Sequence, residues 1–163
     1  MANNNSLVVS KSVELKQLLT FRIAERLFGI DISAAREVSS EVEYTPVYHV
    51  QDEIKGLVNI RGQIYLVLDL HKMLGYEFKE KTSSTKFIIF KENVGESFGV
   101  LIDKVGEVVQ INSDSIKSIH SSNESNSDNV NSKIENLTIG VTKLENELLV
   151  VLNPQKLLSE IVR

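Results

Sequence analysis

The chain comes close to repeating itself, and a duplicated pattern restricts a fold more than any single motif does. FGIDISAAREV, residues 28–38, lies without gaps over FGVLIDKVGEV, residues 98–108. Each opens Phe-Gly, continues with a branched aliphatic residue, reaches Ile at the fifth position and closes Glu-Val. GLVNIRGQIYLVLDLHKML, residues 56–74, lies in the same way over GVTKLENELLVVLNPQKLL, residues 140–158. Phe28 to Phe98 is an offset of 70 residues and Gly56 to Gly140 one of 84. The difference nearly equals the stretch SSNESNSDNVNSK at 121–133, which is almost wholly Ser, Asn and charge. Such a composition has too little apolar surface to offset the entropy of ordering it. Residues 121–133 therefore read as a mobile loop inserted into the second unit, and dispensable.

Each unit reads as short strands. LLTFRI and LFGIDI flank AER in the manner of a hairpin, and IYLVL is apolar throughout, as a strand buried on both faces is. DLHKML follows with Leu70, Met73 and Leu74 on one helical face. Asp69 before it, and Asn153 at the equivalent place, are helix N-caps, and Pro154 suits a first helical position. About five strands and a short helix per unit, used twice, predict two small β-barrels, since closure removes the exposed edges of a small sheet. Helical periodicity between strands is too scarce for a doubly wound parallel sheet. The units span about 15–75 and 85–160 within one domain at 15–163, with 1–14 as a flexible N-terminal segment.

The turn in NIRGQ raises a question about Arg61. Opposite Arg61-Gly62 the second unit has Glu145-Asn146. Gly and Asn accept a left-handed backbone readily, so a similar turn can form in both halves. The charge is not kept, so the turn does not need the arginine. Arg61 serves either an ion pair or a partner.

Evidence of catalysis is scarce. Cysteine is absent, which removes disulfides, thiol chemistry and cysteine-ligated zinc. The three histidines, His49, His71 and His120, show no metal-pair spacing. Asp69 and His71 fit capping better than a catalytic pair, and no phosphate-cradling glycine loop is present. Asp31 and Asp103 are expected to face water at strand ends. The net charge is -4 with basic residues scattered, which disfavours nucleic acid. The N-terminus lacks the pattern of a secretory signal, and aliphatic runs of about five residues fall far short of the ~20 that span a bilayer. A cytoplasmic protein without direct membrane insertion is expected, with no enzymatic activity, cofactor or metal.

The series FGIDISAAREV, TPVYHVQDEIKGLVNIRGQIYLVLDL, FGVLIDKVGEVVQI and IGVTKLENELLVVLNPQKLL resembles the CheW-type chemotaxis adaptors from about Leu15 to Ile161. KGLVNIRG followed by LDL is the most specific part. The resemblance implies a mainly β fold of two five-stranded SH3-like β-barrels with short helices. It also implies a non-catalytic adaptor, monomeric alone and part of membrane receptor arrays. Such an adaptor couples the cytoplasmic tip of transmembrane chemoreceptors to the regulatory domain of the histidine kinase CheA. Carried over by position, the receptor groove between the barrels includes Leu19, Ile32, Ala35 and Val38, with Ile102, Val105 and Val108 from the second unit. Glu37, Gly56 and Arg61 match positions tied to partner binding, and Glu37 and Arg61 are placed to pair with each other. Ala35 stands where many relatives carry a larger aliphatic residue, and Leu66 where proline is common. Two other readings are a CheW-like scaffold of a different chemosensory system, such as one for surface motility, and a nucleic-acid-binding β-barrel.

Overall fold

In a computed structural model of the chain, residues 13–77, 79–119 and 134–161 are described. The expected loop at 121–133 lies outside them, as does the expected N-terminal segment apart from Val13 and Glu14. The apolar runs of both units form strands. The first unit supplies β1 (Leu15–Ile23), β2 (Arg26–Asp31), β3 (Ala35–Ser39), β4 (Thr45–Pro46), β5 (Ile54–Ile60) and β6 (Gln63–Leu68), then the helix α1 (Leu70–Met73). The second supplies β7 (Lys86–Phe90), β8 (Phe98–Ile102), β9 (Lys104–Asn112), β10 (Thr138–Leu144) and β11 (Glu147–Leu152), then α2 (Pro154–Ser159). Both helices start as expected: Asp69 caps α1 through the Lys72 amide, and Asn153 caps α2 through the Gln155 amide ahead of Pro154.

The two sheets do not coincide with the two units. A five-stranded sheet has the order β10-β11-β2-β1-β9, and a six-stranded sheet the order β3-β7-β8-β6-β5-β4. Each unit therefore gives its first hairpin to one sheet and its last three long strands to the other. The exchange is reciprocal down to register. Val150 lies opposite Phe28 in the parallel pair β11–β2, and Leu66 opposite Phe98 in the parallel pair β6–β8. These are the same positions of the repeat. The Leu66 amide donates to the Ser97 carbonyl at 2.9 Å, a bond that proline at this place could not make.

Both sheets close in the same manner, as SH3-like barrels. The chain leaving β3 returns as β4 to pair with β5, Thr45 opposite Leu57. The chain leaving β9 returns to bridge β10, Lys117 opposite Val141. At each crossing the strand beneath carries a glycine because the returning backbone leaves no room for a Cβ. An added Cβ would stand 2.1 Å from the Thr45 carbonyl oxygen at Gly56, and 2.5 Å from that of Lys117 at Gly140.

Three apolar clusters hold the molecule together. One fills each barrel, with Val58, Tyr65, Val67 and Phe87 in the six-stranded barrel and Leu18, Leu27, Leu149 and Val151 in the five-stranded one. The largest lies between the barrels. It draws Phe21, Phe28 and Ile30 from one sheet, Ile88, Phe90 and Phe98 from the other, and Leu70 and Leu157 from the two helices. Each such side chain contributes roughly 1.5–3 kcal/mol on burial, so most apolar stabilisation resides in the shared layer. Neither barrel keeps that contribution without the other.

Two local expectations need correction. Asp103 does not face water: its carboxylate accepts the Ala24 amide at 2.8 Å and approaches His71, tying the β1–β2 turn to α1. The turns at 61–62 and 145–146 also differ. Arg61 and Gly62 both have positive φ, whereas in the second turn the left-handed residue is Glu145 and not Asn146.

Candidate functional site

Arg61 sits at the tip of the β5–β6 hairpin. Its φ of 51° and that of Gly62, 86°, define a turn whose twist matches the flanking strands. Asn59 steadies this turn by accepting the Gly62 amide at 2.9 Å. Glu37 reaches the tip from β3 by way of a β-bulge. Ala35 pairs with Phe90, Glu37 with Ile89 and Val38 with Ile88, so Arg36 and Glu37 together oppose one residue. Arg61 Nη2 donates to Glu37 Oε1, the pairing expected from the sequence. The Arg61 side chain is 73% exposed and that of Glu37 29%. That hydrogen bond, with the nearby charge, raises the guanidinium above its ordinary pKa. Most of its N–H donors still point to solvent. The structure thus places a fixed, solvated guanidinium at the mouth of the six-stranded barrel.

The bulge also arranges the apolar candidates. In a regular strand residues three apart point to opposite faces, but the extra residue brings Ala35 and Val38 to the same one. Residues directly opposite in an antiparallel pair share a face, so both lie on the side of Phe90 and Ile88 in the shared core. The second unit repeats this: Val105 opposes Phe21 and Val108 opposes Leu19, again across a bulge. Ile32, Ala35 and Val105 are half-buried against the core, while Val38 and Val108 are 38% and 47% exposed. The two valines thus mark the uncovered margin of the shared apolar layer, one from each barrel. Leu19 and Ile102 lie inside that layer and present no surface. Gly56 is buried beneath β4, so it shapes the barrel and offers no contact of its own.

Sequence reasoning missed other features. Ile64 and Leu148 occupy one position of the repeat and are both exposed, which their alignment could have signalled. A polar junction near the barrel boundary was not legible: Lys55 pairs with Asp69 at 3.1 Å, and His71 lies between Asp69 and Asp103. His71 Nε2 is 2.9 Å from Asp103 Oδ1, but the contact is off the ring N–H axis and so is not a directed hydrogen bond. The adjoining cavity measures about 20 Å³, the space of a single water rather than a substrate. Among the described residues no three His, Asp or Glu side chains converge on a point a metal could take, and no helix is long and apolar enough to cross a membrane.

The surface built by these residues is a solvated ion pair and an exposed apolar margin at the edge of the shared core. The chain is 28% identical over 145 residues to "Chemotaxis protein CheW" of Thermotoga maritima, covering 89% of each. It is 28% identical over 85 residues to "Protein PilI" of Pseudomonas aeruginosa, 52% of this chain and 47% of that one. The crystal structure of scaffolding protein TtCheW from Thermoanaerobacter tengcongensis has a TM-score of 0.72 to it, at 26% identity, over 86% of this chain and 85% of that one. CheW-family proteins are scaffolds without catalysis of their own. Residues 17–162 match the CheW-like domain, and the chain belongs to that family.

Proposed function

We propose that this chain is the adaptor that couples chemoreceptors to the histidine kinase CheA in chemotaxis signalling, working at the cytoplasmic side of membrane receptor arrays. The observation that carries the reading is the exposed margin of Val38 and Val108 over the shared core. A receptor tip is a helical hairpin, and an amphipathic helix lays its apolar face against such a margin. Ile32, Ala35 and Val105 support the contact from beside it, and Leu19 and Ile102 from beneath. Glu37, on a different face of the bulged strand, and Arg61, paired with it from the hairpin tip, serve the kinase regulatory domain. Gly56 acts through the closure of the barrel that presents them. Central side chains in such interfaces each cost roughly 2 kcal/mol or more when truncated.

The similarity to PilI favours a second reading, in which the same scaffold serves a chemosensory system with another output. Co-purification of the protein from its own cells separates the two. Recovery with a CheA-type kinase and chemoreceptors of a flagellar chemotaxis operon supports the first, and recovery with the kinase of another system the second. Recovery with neither contradicts both. A nucleic-acid role requires salt-sensitive affinity, which a chain of net charge -4 with scattered lysines is not expected to show.

A further inference from the structure

The two barrels are built to one plan, so their differences show what has been added or removed. In the six-stranded barrel two arginines are held by groups of the same barrel. Arg36, the first residue of the bulge, donates to the Tyr65 hydroxyl at 3.3 Å, and Arg61 at the hairpin tip pairs with Glu37. The five-stranded barrel keeps the bulge and the acid at Glu107, but has Gly106 in place of Arg36, Leu149 in place of Tyr65 and Glu145 in place of Arg61. Both cations are gone, and a cleft of about 650 Å³ stands there.

Position 106 cannot supply a side chain to the cleft. A Cβ at position 106 would stand 2.5 Å from Thr20 Oγ1, which is fixed by its 2.6 Å bond to the Glu107 carbonyl oxygen. Arg22, on the rim, is engaged by Glu147 through both guanidinium nitrogens and by the Glu25 carbonyl oxygen. Lys104 is a further rim residue. Glu107 and Glu145 have no ion-pair partner among the described residues. Leu27, Val109 and Leu144 give the cleft an apolar lining suited to a methylene chain.

We infer that this cleft receives an arginine side chain presented by a protein partner, seated between Glu107 and Glu145 as Arg61 is seated against Glu37 in the twin barrel. Two carboxylates lining one cleft suit the planar fork of a guanidinium better than an ammonium point charge. The occupant is a protein rather than a free metabolite because the cleft is open to solvent and a segment can enter without being enclosed. The inference concerns the isolated protein and does not depend on which receptor or kinase it serves.

The test titrates the labelled full-length protein with a blocked Gly-Arg-Gly tripeptide and follows amide shifts by NMR. Its citrulline counterpart, equal in shape but uncharged, and its lysine counterpart serve as comparisons. Saturable shifts at Gly106, Glu107, Glu145 and Asn146 are expected, with affinity about tenfold lower for citrulline and reduced for lysine. Glu145→Arg restores the charge pattern of the twin barrel and is expected to abolish binding while leaving the remaining spectrum folded. Glu107→Gln, a milder change, is expected to weaken it. Shifts absent from the cleft, equal affinity for citrulline or lysine, or undiminished binding by a folded Glu145→Arg protein would overturn the inference.

Discussion

Gly56 separates two explanations that make the same prediction about partner binding and opposite ones about stability. The resemblance to CheW adaptors ties this position to partners, whereas the structure buries it under β4. In Gly56→Ala the new Cβ would stand 2.1 Å from the Thr45 carbonyl oxygen, 2.8 Å from its carbon and 3.0 Å from Pro46 Cα, where ordinary contact begins at 3.4 Å. All three atoms are backbone, so no side chain can swing aside. β4 must recede by more than an ångström, which breaks the pairing of Thr45 with Leu57 that closes the barrel. Overpacking of this kind costs about 1–3 kcal/mol, and a lost backbone hydrogen bond about 1 kcal/mol more. At about 2–4 °C per kcal/mol for a domain of this size, the melting temperature should fall by roughly 4–16 °C. Gly140→Ala is the internal control. It clashes with Lys117 in the same way, at 2.5 Å, but its next contact is the Ile116 side chain, which can move. A smaller loss is expected there, at a position the resemblance does not link to partners. Thermal and urea unfolding of both variants check the reasoning. A Gly56→Ala protein that melts with the wild type yet loses its partners would refute it, and would make Gly56 a contact residue.

Two more predictions follow from the polar contacts. The Arg22 hydrogen bond holds the Glu147 carboxyl below the ordinary carboxylate range. Its stabilising effect is therefore complete above the unfolded-state value and lost as pH falls through the folded one, and Arg22→Gln should return the Glu147 midpoint to the ordinary range in a carboxyl NMR titration. Of the two helix caps, Asn153→Ala should cost about 1 kcal/mol, as cap losses do. Asp69→Ala should cost more in the same urea assay, because buried Asp69 also pairs with Lys55.

Much of this arrangement was legible because it depends on composition and short-range pattern. The repeat, the apolar runs and the caps at Asp69 and Asn153 all have local causes, whereas the Glu37–Arg61 pairing was reached through the family resemblance. What was not legible is which unit contributes to which sheet. Alternation of apolar residues says that a strand has a buried face, but not which partner covers it. The exchange of hairpins between barrels is a long-range choice that leaves no mark on periodicity. The bulges at Arg36-Glu37 and Gly106-Glu107 likewise change which residues share a face, so Ala35 and Val38 meet the core together although simple alternation separates them. Leu19 and Ile102 show the converse. The family resemblance assigns them to the groove, but the shared core closes over them. Asp103 read as a solvated strand end because its partners, Ala24 and His71, lie far away in the chain.

The most direct measurement of the central claim mixes the protein with a kinase regulatory domain and a soluble receptor fragment and quantifies the three-component complex by sedimentation, with a melting curve for each variant. Val38→Lys with Val108→Lys should release the receptor fragment and keep the kinase domain, and Arg61→Glu should release the kinase domain, all with melting close to the wild type. Complexes that form undiminished with folded variants would contradict the account, because no docking would then depend on the margin of the shared core or on the ion pair at the barrel mouth.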